Sequence, residues 1–507
     1  MTSLTLAGAA AANNNGGHLS EPTDGYGQAP AVGSNDTPKH LPYMRRQSVA
    51  GEQWISRVRE HSGPIYLRIV SALEAGLSSG ELLAGQRLPS QRSLAKHLQI
   101  DLTTVTRAFE EGRKRGLIEA RGPHGSFVAP PKASFEQRVD LSMNVPPVPD
   151  CAHFSALLRR TAAAVLARSD ANNLMTYHLG GGNATDRHAA SRWLKPMLGD
   201  VEDSQLILTE GAQVAISAVI VSLGSRGRKI LCDQHVYPGL LQASTALQSE
   251  LVPVEGDEYG MRPDSLVQRA RESGSTIVYL NPTLQNPTAL TMPYQRRVDI
   301  ARVLRQECIV AIEDDPYWHF ESTQPQAISS MAPQSVYYIS TLSKMISPGL
   351  RTAFMRCPSA EQADKVMSTL RGTRQMGHPL ISALASQVLL DGSAYELMER
   401  VKEEAHERVR MAGYLLPPSL LIRAGGLHAW CSIPQPWSEE TLVRSAHLQG
   451  LSIAPSSAFR QSKSGQGMAM RLSLGLANSR RQLEEALSKI DKLLLDSTGS
   501  TLPRFIR

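Results

Sequence analysis

Val336-Tyr337-Tyr338-Ile339-Ser340-Thr341-Leu342-Ser343-Lys344, continuing as Met345-Ile346-Ser347-Pro348-Gly349-Leu350-Arg351, is the stretch on which the fold turns. Its first five residues are rich in β-branched and aromatic side chains, a pattern that predicts a strand. The strand runs out into a lysine flanked by two hydroxyls, Thr341 and Ser343, and an arginine follows past Pro348-Gly349. A lone Ser-Lys pair is nearly always a surface lysine. At the end of a buried strand, the same pair brings an amine, hydroxyls and a guanidinium to one edge of a sheet, where open α/β sheets bind ligands.

Further strands are predicted in both directions. Gln205-Leu206-Ile207-Leu208-Thr209, Lys229-Ile230-Leu231-Cys232-Asp233, Thr276-Ile277-Val278-Tyr279-Leu280 and Ile309-Val310-Ala311-Ile312-Glu313 are nearly continuous apolar runs. Strands buried on both faces read this way. Helical patterns over 211–223, 261–272 and 294–306 separate them, so the alternation predicts βαβ units and a mainly parallel sheet. Gly180-Gly181-Gly182 lacks the spacing of a dinucleotide-binding loop.

At 507 residues the chain is too long for one core, so at least two domains are expected. The apolar fraction of 41% and charged fraction of 20% are those of a globular protein. Aromatics at 5% argue against a binder that stacks single-stranded bases. Cys151, Cys232, Cys308, Cys357 and Cys431 are scattered, which fits reduced thiols, and none pairs at metal-ligand spacing, so no metal site is expected. No apolar run reaches membrane-spanning length and the start lacks a signal-peptide pattern, so a cytoplasmic protein is expected.

Residues 1–50 are poor in large apolar side chains and are expected to be a disordered tail. A compact basic domain is expected over 62–130, a linker or lead-in segment over 131–149, and the α/β domain over 150–497. Within the first domain Ser90 is placed to cap a helix with Leu94, Ala95 and Leu98 inward, and Asp101 to cap a second with Val105, Ala108 and Phe109 inward. The turn Gln99-Ile100-Asp101 between them gives helix-turn-helix geometry. Thr103, Thr104 and Arg107 can face outward near the start of the second helix, where base edges and phosphates of double-stranded DNA would be met. Glu119 to Val128 reads as a hairpin whose tip carries Arg121, His124 and Gly125, a wing for phosphate or minor groove. Ser90, Arg92, Thr103, Thr104, Arg107, Arg121, His124 and Gly125 are the candidate DNA contacts, inside a local excess of basic residues from Arg87 to Arg121.

This segment resembles the GntR-type winged helix through Leu88-Pro89-Ser90-x-Arg92-x-Leu94-Ala95, Thr104-Val105-x-Arg107-Ala108-Phe109, Gly116-Leu117-Ile118 and Gly125-Ser126-Phe127-Val128. One departure is Leu102, where that family often carries a basic residue.

The α/β part offers each of the groups that pyridoxal phosphate requires. A lysine must form a Schiff base with the aldehyde, and Lys344 is suited to it. An acid must protonate the pyridine nitrogen; Asp314, just past a buried strand, is suited. Tyr317 and Asn286 are suited to the phenolate oxygen, and Tyr237 to stacking on the ring. Thr341, Ser343, Arg351 and the helix start at Ala212-Gln213 are suited to a phosphate. Taken singly, each of these has a bland alternative: Asp-Asp-Pro and Asn-Pro-Thr are usually turns.

The ordered set resembles the aminotransferase fold type I through Thr209-x-Gly211-Ala212-Gln213, Asn286-Pro287-Thr288, Asp314-x-x-Tyr317, Ser343-Lys344, Pro348-Gly349-x-Arg351 and Arg471-Leu472-Ser473. The resemblance implies those same cofactor roles. It adds Arg471 as the holder of a substrate or effector α-carboxylate, and Tyr177 as a tyrosine reaching the partner subunit's phosphate in a homodimer. Ala289 departs from the glycine that usually follows Asn-Pro-Thr. A GntR-type reader ahead of such a body resembles the MocR subfamily of bacterial regulators. That resemblance implies a PLP-dependent, DNA-binding regulator sensing an amino acid, an amine or the cofactor itself. A working aminotransferase acting on an amino acid and a 2-oxo acid is the alternative, and these residues leave it open.

Overall fold

In a computed structural model the described residues are 53–59, 61, 63–78, 81–83, 85–120, 122, 125–129, 139–147, 151–178, 180–224, 229–461 and 468–495. The expected tail lies outside them. The chain divides after Ser134 into two compact units.

The first unit holds a short helical segment from Gln53 to Arg59, then α1 (Ile65–Ser78), α2 (Gln91–Leu98) and α3 (Leu102–Lys114), and a hairpin of β1 (Ile118–Ala120) and β2 (Ser126–Val128). Ser90 caps α2 as its sequence predicts, accepting from the Ser93 N–H at 3.1 Å. Gln99, at φ 55°, ends α2 in the left-handed region and starts the turn. Asp101 differs from expectation: its backbone occupies the cap position of α3, but its side chain makes no capping bond. Val105, Ala108 and Phe109 pack inward against Ile69, Leu73 and Leu94. Trp54, Ile55 and Val58 belong to the same core, so this domain begins upstream of the expected boundary at 62. Their near-helical spacing puts three large apolar side chains on one face, which must be buried somewhere.

The second unit is built on a seven-stranded sheet. Its strands are β3 (Leu206–Thr209), β4 (Lys229–Cys232), β5 (Glu250–Pro253), β6 (Ile277–Leu280), β7 (Val310–Asp314), β8 (Val336–Thr341) and β9 (Ala353–Arg356). They lie in the order β3-β9-β8-β7-β6-β4-β5, and only β9 runs antiparallel to its neighbours. β3, β6 and β8 are buried along their whole length, as strands with such largely apolar runs are when both faces are covered. α4 (Ala212–Ser222) follows β3 directly and packs Val214, Ile216, Val219 and Ile220 into one face of the core.

A smaller four-stranded sheet orders β10 (Leu421–Gly425), β11 (His428–Ser432), β13 (Ala469–Ser473) and β12 (Ala454–Pro455). Its apolar face, with Ala429, Cys431, Met470 and Leu472, packs on Ala412 of α5 (Ser393–Leu415) and on Leu483, Leu487 and Ile490 of α6 (Arg480–Leu495). The segment from Val139 belongs to this unit, not to a linker reaching 149. Val139 and Asp140 pair with Leu451 and Ser452, and Ser473 N–H donates to the Leu141 carbonyl. Backbone hydrogen bonds and the burial of Val139 and Leu141 against Leu451 and Leu472 hold this segment in the unit.

Candidate active site and DNA-reading surface

Most of the cofactor candidates converge because they leave the sheet at the carboxyl ends of its strands. Thr209 ends β3, Asp314 ends β7 and Thr341 ends β8, while Tyr237 and Asn286 follow β4 and β6 by a few residues. Lys344 lies three residues past β8, partly buried, and its Nζ donates to the Asn144 carbonyl at 2.7 Å. Burial, then the positive charges of Arg471 and Arg351, lowers its amine to about 8 against the opposing pull of Asp314.

Asp314 is buried and its Oδ2 accepts from the Tyr279 hydroxyl at 2.7 Å. Burial raises this carboxyl to about 6. Asn281 ties two elements together: its Nδ2 donates to the Asp314 carbonyl at 2.6 Å, and its Oδ1 accepts from the Asn286 N–H at 2.7 Å. Asn286 Oδ1 in turn accepts from Arg471 Nη1 at 2.6 Å. Arg471 is buried on β13, donates to the Ser142 carbonyl and stacks 4.8 Å from the Phe459 ring. Tyr317 is buried, and its hydroxyl accepts from Asn144 Nδ2 at 3.1 Å.

At the other end of the site, Thr341 Oγ1 donates to the Thr352 carbonyl at 2.9 Å and accepts from the Ser343 N–H at 3.2 Å. Arg351 is exposed, with its Nη2 donating to the Glu210 carbonyl at 3.0 Å. Ala212 and Gln213 open α4, where the first amides have no intrahelical acceptor. Gln213 Nε2 donates to the Gly239 carbonyl at 2.8 Å. Two glycines are needed here. A Cβ on Gly211, at φ +97°, would stand 2.7 Å from Arg351 Nη2, and one on Gly239 would stand 2.0 Å from Gln213 Oε1. Tyr237 is partly buried beside this cradle, and burial raises its hydroxyl above the ordinary value.

A cavity of about 530 Å³ opens alongside, lined by Thr209, Glu210, Arg351 and Tyr177 among others. Tyr177 is 69% exposed and stands apart from the hydrogen bonds of the other candidates. Asp314 Oδ1, Arg471 Nε and Asn144 Oδ1 are buried without a partner. Such atoms cost free energy unless a ligand satisfies them. An acid oxygen, a guanidinium N–H and an amide oxygen left open around a lysine fit a pyridinium and an amino acid. Tyr279, Asn281, Asn144 and His428 were not singled out from the sequence. Tyr279 lies inside an apolar strand and reads there as packing, and the other three had no motif.

On the first unit, Arg92 and Thr103 are exposed, Thr104 is half-buried, and Arg107 is exposed with its guanidinium 4.0 Å from the Tyr66 ring centroid. Ser90 is exposed at the start of α2, and Gly125 sits at φ +101° just before β2. Arg87, the first residue of the basic excess, is bridged to Phe127 on the wing and its guanidinium approaches Gly125. Arg121 and His124 lie outside the described residues. Among the described residues no cluster suits a metal ion, and no helix is long and apolar enough to cross a membrane.

Comparison with known proteins gives two families in tandem. The family described as bacterial regulatory proteins, gntR family, matches residues 65–128, and aminotransferase class I and II matches 136–499. The HTH-type transcriptional regulator YdeF of Bacillus subtilis is 26% identical over 453 residues, covering 88% of this chain and 97% of YdeF. The vitamin B6 salvage pathway transcriptional repressor PtsJ of Salmonella typhimurium is 25% identical, covering 80% of this chain and 93% of PtsJ. The crystal structure of a multiple substrate aminotransferase from Thermococcus profundus superposes with a TM-score of 0.64 at 20% identity, covering 72% of this chain and 93% of that one.

Proposed function

Since the chain belongs to the aminotransferase class I and II family and carries a GntR-type DNA-binding domain ahead of it, we propose that it is a MocR-type transcriptional regulator whose DNA binding answers to pyridoxal phosphate and an amine-bearing effector. The observation that carries this reading is the complete cofactor set, Lys344 to Arg471, in a chain whose first unit is a winged helix.

The class I and II fold is that of pyridoxal-phosphate-dependent proteins. When bound, the cofactor supplies an aldehyde that condenses with amines and a ring that withdraws electrons. The chain's own groups do the rest. Lys344, with its amine lowered to about 8, is still mostly protonated at neutral pH but keeps far more of the free amine there than an ordinary lysine does. Asp314 Oδ1 would hold the ring nitrogen's proton, and Tyr317 and Asn286 would donate to the ring oxygen. Tyr237 would cover the ring face. Ala212, Gln213, Thr341, Ser343 and Arg351 would take the phosphate, joined by Tyr177 from the second copy of a homodimer. Arg471 would hold a carboxylate, if the effector has one.

A ligand that binds one arrangement of this domain better than another shifts their populations, and through them the two readers of a dimer on DNA. Arg92, Thr103, Thr104 and Arg107, with the wing residues Arg121, His124 and Gly125, would make the DNA contacts, and Ser90 would frame them by capping α2. PtsJ, a repressor of vitamin B6 salvage, favours the cofactor itself among the possible signals. A second reading, an active aminotransferase, is favoured by the pairing of Lys344 with Arg471, since groups that bind an amino acid on the cofactor also permit its turnover. Footprinting on the DNA upstream of the protein's own gene separates the two. A protected operator supports the regulator; steady conversion of amino acid to 2-oxo acid without protection supports the enzyme.

A further inference from the structure

Asn144 and His428 are buried next to the site, one on the segment that opens the second unit and the other at the start of β11. Asn144 Nδ2 lies 3.0 Å from His428 Nδ1 and 3.1 Å from Tyr317 Oη. His428 Nε2 lies 3.3 Å from the Gln285 carbonyl, and its ring centroid is 5.7 Å from that of Tyr317. The hydrogens follow from these partners. A carbonyl can only accept, so His428 carries its proton on Nε2. The neutral ring then presents a lone pair at Nδ1, which accepts one Asn144 N–H. Flipping the Asn144 amide would set its oxygen against that lone pair, so the Gln285 carbonyl also decides the amide's orientation. The second Asn144 N–H is left for Tyr317 Oη. With that lone pair taken, the tyrosine's own proton is directed away from Asn144. Burial and the positive charges of Arg471 and Lys344 hold His428 neutral, its pKa lowered to about 3.

We propose that Asn144 and His428 are positioning residues that make Tyr317 a one-way hydrogen-bond donor toward the cofactor's phenolate oxygen. The proposal rests on the cofactor reading above and adds to it the chain Gln285 carbonyl, His428, Asn144, Tyr317. Asn144 also meets the lysine, since its backbone carbonyl accepts from Lys344 Nζ. The charged groups facing the cofactor remain Lys344, Asp314, Arg351 and Arg471, and none of them lies in the run of bonds from the Gln285 carbonyl through the His428 and Asn144 side chains to Tyr317.

The test is the pH midpoint of the visible absorption band of the full-length protein loaded with pyridoxal phosphate. A donor on the phenolate oxygen weakens that oxygen's hold on the neighbouring nitrogen's proton, so loss of the donor raises the midpoint. Asn144→Asp is isosteric but offers a carboxylate that takes the Tyr317 proton for itself. It is expected to raise the midpoint by about one unit, as is Tyr317→Phe. His428→Phe, which leaves the Asn144 amide without its acceptor, is expected to move it the same way by less. Asn144→Asp added to Tyr317→Phe is expected to move it no further, since both act through one bond. An unchanged midpoint in Asn144→Asp and His428→Phe with the band intact overturns the proposal, as does full additivity with Tyr317→Phe. Absence of any Lys344-dependent band in the wild-type protein overturns the cofactor reading itself and the proposal with it.

Discussion

The hydroxyl of Tyr279 donates to Asp314 Oδ2 at 2.7 Å and leaves Asp314 Oδ1 without a partner. The carboxyl is thus oriented but half-satisfied, which suits an acid that awaits a ring nitrogen.

Asp314 should therefore leave a mark on the cofactor-free protein. Burial raises it to about 6, above its ordinary range. A carboxyl raised on folding contributes stability that is full below about pH 4 and is lost as pH rises through about 6, a component of about 2–3 kcal/mol. Asp314→Asn is expected to remove that component, seen as a flatter melting temperature between pH 4 and 7 than in wild type. Glu313 and Asp315 are also raised by burial, to about 7 and about 6, so the difference between the two proteins is what counts. The same variant is expected to bind pyridoxal phosphate at least about tenfold more weakly, about 1.4 kcal/mol.

Lys344 gives a second pH dependence. With its amine lowered to about 8, the rate at which the visible band forms on adding pyridoxal phosphate should rise with pH and level off above about 8. Arg471 contributes to that lowering, so Arg471→Ala is expected to shift the plateau to higher pH. A rate independent of pH from 6 to 10 would count against Lys344 as the reacting amine.

The phosphate end depends on two missing side chains. Gly211→Ala combines a left-handed backbone with a methyl group aimed at Arg351, and Gly239→Ala drives a methyl into Gln213 and Tyr237. Each is expected to weaken cofactor binding by about tenfold or more, with a stability loss of about 1–3 kcal/mol. Titration of the visible band and thermal melting measure the two effects separately.

Trp54→Ala probes the upstream edge of the DNA reader. Trp54 is 1% exposed in the core shared with Ile69 and Phe109. Its truncation is expected to cost about 3–5 kcal/mol in the first unit alone, abolishing DNA retardation while the cofactor band survives. Retardation of wild-type strength would place the edge downstream, near Ser62.

The apolar strands, the helix-turn-helix and the candidate cofactor ligands were legible because each is a local pattern: an unbroken run, a cap before an amphipathic helix, a lysine after a strand. The groups that orient those ligands were not. Asn144 and Tyr317 are 173 positions apart, and Asn144 and His428 are 284 apart. Only the folded sheet brings them together. The stretch 131–149 reads from sequence as linker or lead-in, and what assigns its part from Val139 to the α/β unit is long-range: pairing with Leu451 and Ser452 and burial of Val139 and Leu141. Trp54 was missed because a single turn of helix is too short to show one. Ala289 stands where the resemblance has glycine, and it adopts φ +53° with its N–H donating to the Gln285 carbonyl at 2.7 Å. The turn keeps the shape glycine would give, at a cost of about 1 kcal/mol.

We propose that one chain couples pyridoxal phosphate at Lys344 to DNA binding by the winged helix. The direct measurement is gel retardation of the DNA upstream of its own gene, using full-length protein with the cofactor removed and then restored, beside Lys344→Ala. Specific retardation whose strength changes when the cofactor is restored is expected, with no such change in Lys344→Ala. Specific retardation that is identical in all three states, or none in any, would contradict it.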